Sequence, residues 1–253
     1  IVSQPVTRHI TVDEGLAASE VYHVFQDSRG YIWFGTNNGV SRFNGYEFEN
    51  FDLVSGLPDN TVFEIYEDYK HRIWFIPFSG SLSYYENGEI KSYRYNSKIV
   101  EHLPNSRGPS KLSFFVDSLD NVSFGLKDFG IISIDQEGIY KHIDDSNTDA
   151  QVVVRSVGSG KFLVSDSHEP RKYGLFYFDG RQSYRFTLSE LGIKPFKPIY
   201  FYAQQAKDGS AFITIDGNIF RIKDGRVVSH NHSITQSVIW ISIDADNNLW
   251  VSA

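Results

Sequence analysis

The chain has neither cysteine nor methionine among its 253 residues. Without cysteine there is no disulfide framework, no thiol nucleophile and no thiolate metal site. Without methionine the initiator is not retained, so the natural start is expected upstream of Ile1, whether through processing or excision. Long apolar runs are missing as well: none approaches the roughly 18 to 20 residues that cross a bilayer. The opening Ile1-Val2-Ser3-Gln4-Pro5 lacks the charged-then-apolar pattern of a secretion signal, so no anchor or leader is expected within the segment itself. Basic runs are absent too. With 24 Lys and Arg against 31 Asp and Glu, a net charge of −7 and a pI near 5.6, a partner bound by neutralising phosphates is excluded, so no nucleic acid is expected. No nucleophile elbow, phosphate-cradling glycine loop or zincin motif occurs, and no catalytic residue is assigned.

What is present is aromatic and repetitive. Hydrophobic residues make up 41% of the chain and aromatics 15%, enough for a large core. The stretch Gly15-Leu16, Val21-Tyr22-His23-Val24-Phe25, Asp27-Ser28-Arg29-Gly30 and Ile32-Trp33-Phe34 returns as Gly56-Leu57, Val62-Phe63-Glu64-Ile65-Tyr66, Asp68-Tyr69-Lys70-His71 and Ile73-Trp74-Phe75. Anchoring on the large residue two places after the acidic turn gives Trp33, Trp74, Ser123, Leu163, Phe212 and Trp250, at intervals of 41, 49, 40, 49 and 38. A period of roughly 40 residues built from short strands and polar turns predicts β-propeller blades. Loop insertions over 95–110 and 187–198 account for the long intervals.

Within the first unit, Val21 to Phe25 reads as an inner strand covered on both faces. Ile32–Thr36, Val40–Phe43 and Tyr46–Phe51 follow as strands two to four, separated by Asn37-Asn38-Gly39 and by Asn44-Gly45, a dipeptide suited to hairpin turns. The same third-strand hairpin recurs with Asn87-Gly88, Glu137-Gly138, Asp179-Gly180 and Asp224-Gly225. The reading is therefore an all-β chain, a single β-propeller domain over 1–253 with four-stranded antiparallel blades. Blades are expected at 15–55, 56–95, 111–145, 150–187 and 199–230, with a partial blade at 236–253 and an orphan outer strand at 7–14. About five and a half blades suggest a fragment of a seven-bladed ring, which at about 40 residues per blade would need roughly 60 more. A six-bladed ring with an irregular last blade is the alternative.

The unit Gly56-Leu57-Pro58-Asp59-Asn60-Thr61-Val62-Phe63, the acidic turn, Ile73-Trp74-Phe75 and Leu82-Ser83-Tyr84-Tyr85 resemble the two-component regulator propeller repeat. So does 15–45, and so does Asn248-Leu249-Trp250. In the middle blades Ser123 and Leu163 stand in for the aromatic, and Val157 and Ala206 for the acidic residue. Such repeats form the extracytoplasmic sensor region of hybrid two-component histidine kinases of Bacteroidetes. There two propellers and a β-sandwich precede a membrane helix and a cytoplasmic kinase, and members sense polysaccharide fragments. The resemblance implies a periplasmic, non-enzymatic sensor segment of a histidine kinase. Its implied partners are an oligosaccharide or other small molecule, the further propeller and β-sandwich domains of the same chain, and a second copy in a homodimer. A propeller-fold polysaccharide lyase or hydrolase and a ligand-free scaffold or dimerisation domain are the alternatives.

Candidate sites are weighed against their structural uses. Asp244-Ala245-Asp246-Asn247-Asn248 alternates oxygen ligands like a calcium loop. Asp244, however, occupies the repeat position of Asp27, Asp68 and Asp117, where a carboxylate caps turn N–H groups. His230-Asn231-His232 puts two imidazoles on one face but lacks further zinc ligands. No metal and no cofactor are expected. Trp33, Trp74 and Trp250 fill a fixed repeat slot and are read as packing between blades. Carbohydrate contacts are placed instead on aromatics outside the repeat pattern: Phe78, Tyr93, Tyr95, Phe196, Tyr200 and Tyr202.

Overall fold

The computed structural model describes residues 9–102, 108–126, 130–143, 153–156, 162–166, 174–178, 183–187, 191, 201–206, 208–215, 218–231, 240–243 and 249–252. The chain divides into two compact units, Ile1–Gly108 and Pro109–Ala253. Four-stranded antiparallel sheets with strands in simple sequential order, the blade of a β-propeller, make up most of each, and the second adds a two-stranded sheet.

The first unit holds two blades. One comprises β1 (Val21–Gln26), β2 (Ile32–Thr36), β3 (Gly39–Phe43) and β4 (Phe48–Phe51). The other comprises β5 (Val62–Glu67), β6 (Ile73–Pro77), β7 (Ser83–Glu86) and β8 (Glu89–Ser92). Strand alternation assigns the core. Trp33, Val40 and Phe51 face the second blade and pack with Leu57, Val62, Ile65, Ile73 and Phe75. Phe34 and Phe43, pointing the other way, bury Leu16 with help from Ile10, Ile32 and Phe48. The blades come close because Gly35 lies on β2: a Cβ there would meet the Val62 carbonyl oxygen at 2.7 Å. The insertion after β8 carries α1 (Asn96–His102). Its first residue docks like a strand neighbour, with Leu82 N–H donating to Asn96 Oδ1 and Asn96 Nδ2 donating to Leu82 O, both at 2.8 Å.

The second unit contains β9 (Phe115–Val116), β10 (Val122–Leu126), β11 (Gly130–Ile134) and β12 (Tyr140–Ile143) as one sheet. Two more follow: β13 (Val153–Ser156) to β16 (Ser183–Thr187) through β14 (Phe162–Asp166) and β15 (Gly174–Phe178), then β17 (Phe201–Gln205), β18 (Ala211–Ile215), β19 (Asn218–Lys223) and β20 (Arg226–Asn231). β21 (Trp240–Ile243) and β22 (Leu249–Ser252) form a two-stranded sheet. All six anchor residues of the repeat fall on the second residue of the second strand in their sheet. No helix among the described residues is long and apolar enough to cross a membrane.

One turn recurs between first and second strands. Asp27 N–H donates to Tyr31 O at 2.9 Å and Gly30 N–H to Asp27 O at 3.0 Å. Asp68 with Arg72 and His71, Asp117 with Asn121 and Asp120, and Ala206 with Ser210 and Gly209 make the same pair of bonds. The fourth residue is left-handed throughout, with φ of 91° at Gly30, 62° at His71, 62° at Asp120 and 78° at Gly209. The carboxylate completes it. Asp68 Oδ1 accepts from Lys70 and Arg72 N–H, and Oδ2 from Trp74 Nε1 at 2.8 Å and Arg72 Nε at 2.5 Å. Asp27 accepts from Arg29 N–H, Tyr31 N–H and Trp33 Nε1. In the third sheet, where Ser123 replaces tryptophan, Asn121 Nδ2 donates to Asp117 Oδ2 instead. Asp208 takes over near Ala206, with Ser210 and Arg221 donating to it, and these contacts hold its carboxyl well below the usual carboxylate range.

Four sequence expectations need correction. Residues 12–14, assigned to an orphan outer strand, form a 3-10 turn Val12–Glu14 whose capping box uses Thr11 and Glu14. It matches the link between the two blades: Leu16 N–H donates to Thr11 O as Leu57 N–H does to Asp52 O. β4 begins at Phe48 rather than Tyr46, because Asn44 Oδ1 accepts from Tyr46 and Glu47 N–H and holds a four-residue turn. β1, expected to be covered on both faces, leaves Val21, Val24 and Gln26 exposed. Trp250 is 63% exposed, unlike Trp33 and Trp74 at 1% each, since β22 has only β21 beside it among the described residues.

Replacing Asp68 by alanine orphans a buried indole N–H and a guanidinium, at a cost of about 3 kcal/mol. For a chain of this size that lowers the thermal midpoint by roughly 6 to 12 °C. Asp117→Ala, at a half-buried turn without tryptophan, costs about 1 kcal/mol. Thermal unfolding followed by circular dichroism separates the two; equal losses would mean that the indole bond contributes nothing.

Candidate functional site

Two features of the first unit bring functional side chains together. The first comes from a backbone irregularity used twice. In β1 the ladder pairs Val21 with Thr36 and His23 with Gly35, so Tyr22 is an extra residue. In β5 it pairs Val62 with Pro77 and Glu64 with Ile76, so Phe63 is extra in the same way. A bulge turns its residue away from the regular alternation. The two rings meet at 4.5 Å between centroids with a 33° tilt. Phe63 in turn lies 5.7 Å from Phe78, just past the end of β6. Phe78 is 64% exposed, and its carbonyl is closely covered by Gly108, where a Cβ would meet it at 2.3 Å. Desolvation, followed by a bond to the Glu20 carboxylate, pushes the Tyr22 phenol up. The result is a strip of three aromatic rings open to solvent at its Phe78 end. One more bond ties the two bulged strands: Ile65 N–H donates to His23 Nδ1 at 3.0 Å.

The second feature is a polar pocket of about 240 Å³ at the turn ends of the two blades. Arg42 forms its floor. The guanidinium carbon lies 4.7 Å from the Tyr31 ring centroid and 5.1 Å from that of Tyr85, and also covers Trp33 and Phe51. Nη1 donates to the Tyr85 hydroxyl at 2.8 Å and Nη2 pairs with Glu49. Beside it Glu67 accepts from Ser28 N–H and Ser28 Oγ, and both Ser28 Oγ and Glu67 Oε1 lie 2.9 Å from His71 Nδ1. Serine, histidine and glutamate in contact invite comparison with a hydrolase triad. The geometry differs: a triad uses both ring nitrogens, one for the nucleophile and one for the carboxylate. Here both partners share Nδ1, and the hydroxyl donates to the carboxylate, so the cluster joins two turns and does not activate Ser28.

The sequence placed candidate contacts on six aromatics, of which one lies on the strip. Phe78 is displayed on the strip. Tyr93 is buried, its ring 5.5 Å from Trp74 and 5.7 Å from Tyr95. Tyr95 is half-buried under Arg94. Tyr202 sits half-buried on β17, where pairing with β18 is regular. Phe196 and Tyr200 lie outside the described residues, as do Asp244–Asn248 and His232. Among the described residues no three His, Asp or Glu side chains gather as a metal site. Sequence reasoning missed Tyr22, Phe63 and Arg42. The available signal was an aromatic directly after the first valine of strand one in both copies.

Comparison with known proteins identifies the repeat. A family model described as two component regulator propeller matches residues 15–38. Those residues are similar to a two component regulator propeller repeat. No curated protein matches the chain. Among solved structures it is similar to the extracellular domain of a hybrid two component system from B. thetaiotaomicron, with a TM-score of 0.67 and 17% identity over 99% of this chain and 36% of that one. A second such domain from the same organism gives 0.54 and 19%, covering 96% and 40%. Catalytically inactive virginiamycin B lyase from Staphylococcus aureus with quinupristin gives 0.64 and 16%, covering 92% and 76%. The chain thus spans little more than a third of the first sensor it matches. At these identities the likeness is one of propeller fold, shared by sensors and a lyase alike.

Because Ser28 shares its histidine nitrogen with Glu67, the purified chain should hydrolyse nitrophenyl esters no faster than buffer, with Ser28→Ala identical. A burst of nitrophenolate that depends on Ser28 would show that the cluster is catalytic.

Proposed function

We propose that this segment is a periplasmic sensor module of a two-component system that binds rather than catalyses, and that its ligand is a glycan held on the Tyr22–Phe63–Phe78 strip. The bulge carries the reading: two successive blades spend a ladder position at the same place to present an aromatic, and a third exposed ring extends the row. Sheet bulges of this kind re-aim side chains near binding sites. The C–H face of a sugar ring is apolar and packs on aromatic faces, while its hydroxyls stay in water, which suits a strip that is half-buried at one end and exposed at the other. The two component regulator propeller repeat at 15–38 and the likeness to extracellular sensor domains support the cellular role. In this reading further propeller and β-sandwich domains, a membrane helix and a kinase complete the protein, and binding is passed on through them or through a homodimer.

Titration of the chain with a panel of polysaccharide fragments, read by calorimetry, tests the assignment. At least one oligosaccharide should bind, and Phe78→Ala should weaken it about tenfold, as expected for loss of an exposed stacking ring. Absence of binding across the panel, or unchanged affinity in Phe78→Ala and Phe63→Ala, would overturn it.

A further inference from the structure

Three Asn-Gly dipeptides lie in turns of the first unit, at 38–39, 44–45 and 87–88. We infer that Asn87 is a site of spontaneous covalent modification, where the side-chain amide is lost through a cyclic imide and replaced by an acid, while the fold protects Asn38 and Asn44.

An asparagine followed by glycine loses its amide more readily than other asparagines, because no Cβ on the next residue shields the backbone nitrogen that attacks. At Asn87 the Gly88 nitrogen adds to Cγ and the new N–C bond closes a five-membered imide. The Cγ–Nδ2 bond breaks, and Nδ2 leaves as ammonia with the proton given up by the Gly88 nitrogen. Water then adds across one of the two imide C–N bonds. Opening at one gives aspartate on the original backbone; opening at the other gives isoaspartate, whose chain runs through the former side chain and is longer by one carbon. Water is the only co-reactant. In a folded chain the reaction is slowed by a hydrogen bond that occupies the attacking N–H, or by bonds that hold the carboxamide in place.

The three turns differ in both respects. At 38–39 the nucleophile is occupied: Gly39 N–H donates to Asn60 O at 2.6 Å, Gly39 is buried, and Asn38 Oδ1 accepts from Asn60 Nδ2 at 3.4 Å. At 44–45 the electrophile is held, with Asn44 Oδ1 accepting from Tyr46 and Glu47 N–H, both at 2.8 Å. At 87–88 neither restraint is present: among the described residues no hydrogen bond engages the Asn87 carboxamide or the Gly88 N–H. Both residues are exposed, and a Cβ on Gly88 would meet nothing within 4 Å, so water and base reach the N–H. The turn joins β7 to β8 with only these two residues between the paired Glu86 and Glu89, and φ is 53° at Asn87 and 91° at Gly88. Left-handed backbone is the least favoured allowed region for a residue with a side chain, which lowers the cost of the rotation that carries the Gly88 nitrogen to Cγ.

The product changes the surface where it forms. Asn87 lines the edge of the polar pocket beside Glu86, so either acid adds a carboxylate there. The isoaspartate form also lengthens a two-residue turn and disturbs the pairing of Glu86 with Glu89.

Incubation of the folded 253-residue chain at mildly alkaline pH, followed by peptide mass spectrometry, tests the inference. Cleavage after Lys and Arg puts the three asparagines in separate peptides, 30–42, 43–70 and 73–91, and a digest taken at zero time gives the background. Asn87 should convert to aspartate and isoaspartate at least about fivefold faster than Asn38 or Asn44, the factor that one retained hydrogen bond is worth. In urea, with the turns lost, the three rates should converge. Asn87→Gln should remove the signal from 73–91, since that peptide holds no other asparagine. The inference is overturned if Asn38 or Asn44 of the folded chain converts as fast as Asn87, if Asn87 stays intact in the folded chain, or if its lead persists unchanged in urea.

Discussion

The bond between a turn aspartate and the indole of the next strand organises the described blades of the first unit. Trp33 and Trp74 are buried to within 1% of their surface, and a buried indole N–H without an acceptor carries a desolvation cost of about 1 to 3 kcal/mol. Asp27 and Asp68 are buried too, and a buried carboxylate needs several donors. Each group satisfies the other's requirement, while the second carboxylate oxygen ties down two turn N–H groups. The tight turn thereby fixes the register of strands one and two, and the register delivers tryptophan to the inter-blade core.

Where the sequence abandons one partner, the turn survives by substitution. Asn121 supplies the donor where tryptophan is replaced by Ser123, and the vacated slot becomes a Ser123–Ser133 hydroxyl bond at 2.9 Å. Near Ala206 the backbone bonds remain, and Asp208 gathers Ser210 and Arg221, whose guanidinium covers Phe212 as Arg42 covers Trp33. The backbone geometry is thus more constant than the side chains that stabilise it. The family match covers 15–38, while the sheets continue in the same order far beyond it.

This also sets how much could be read from sequence. Blade architecture was legible because it depends on period, on turn residues and on the anchor position, and all six anchors occupy equivalent strand positions. Phe78 stood out in the sequence as an aromatic outside the repeat pattern, and it lies exposed just past the end of β6. The 3-10 turn at Val12–Glu14 was obscured because one turn of helix has no period to detect, although Thr11 and Glu14 already form a capping box. α1 was missed for a similar reason: its seven residues bury Ile99 fully, too few apolar positions to make a stripe. Tyr22 and Phe63 were hidden by the opposite problem. They sit in strands of the expected kind, and only the pairing shows that one residue has been added.

That added residue separates scaffold from surface. A regular strand one would alternate its side chains between the two faces, so an aromatic at the second position would have to pack like its neighbours. The bulge frees it from that alternation while the following residues return to register, as the paired Phe25 with Trp33 and Tyr66 with Trp74 demonstrate. The core is therefore insulated from changes at Tyr22 and Phe63. The polar pocket differs: Asp27 is held by turn N–H groups and the Trp33 indole, while Arg29, Lys70, His71 and Asn87 are exposed at its edge. In both places the repeat supplies a frame through hydrogen-bonded turn groups and leaves other side chains at the surface. Selection can alter those groups at small cost to stability, which is the physical condition under which one propeller frame serves different ligands.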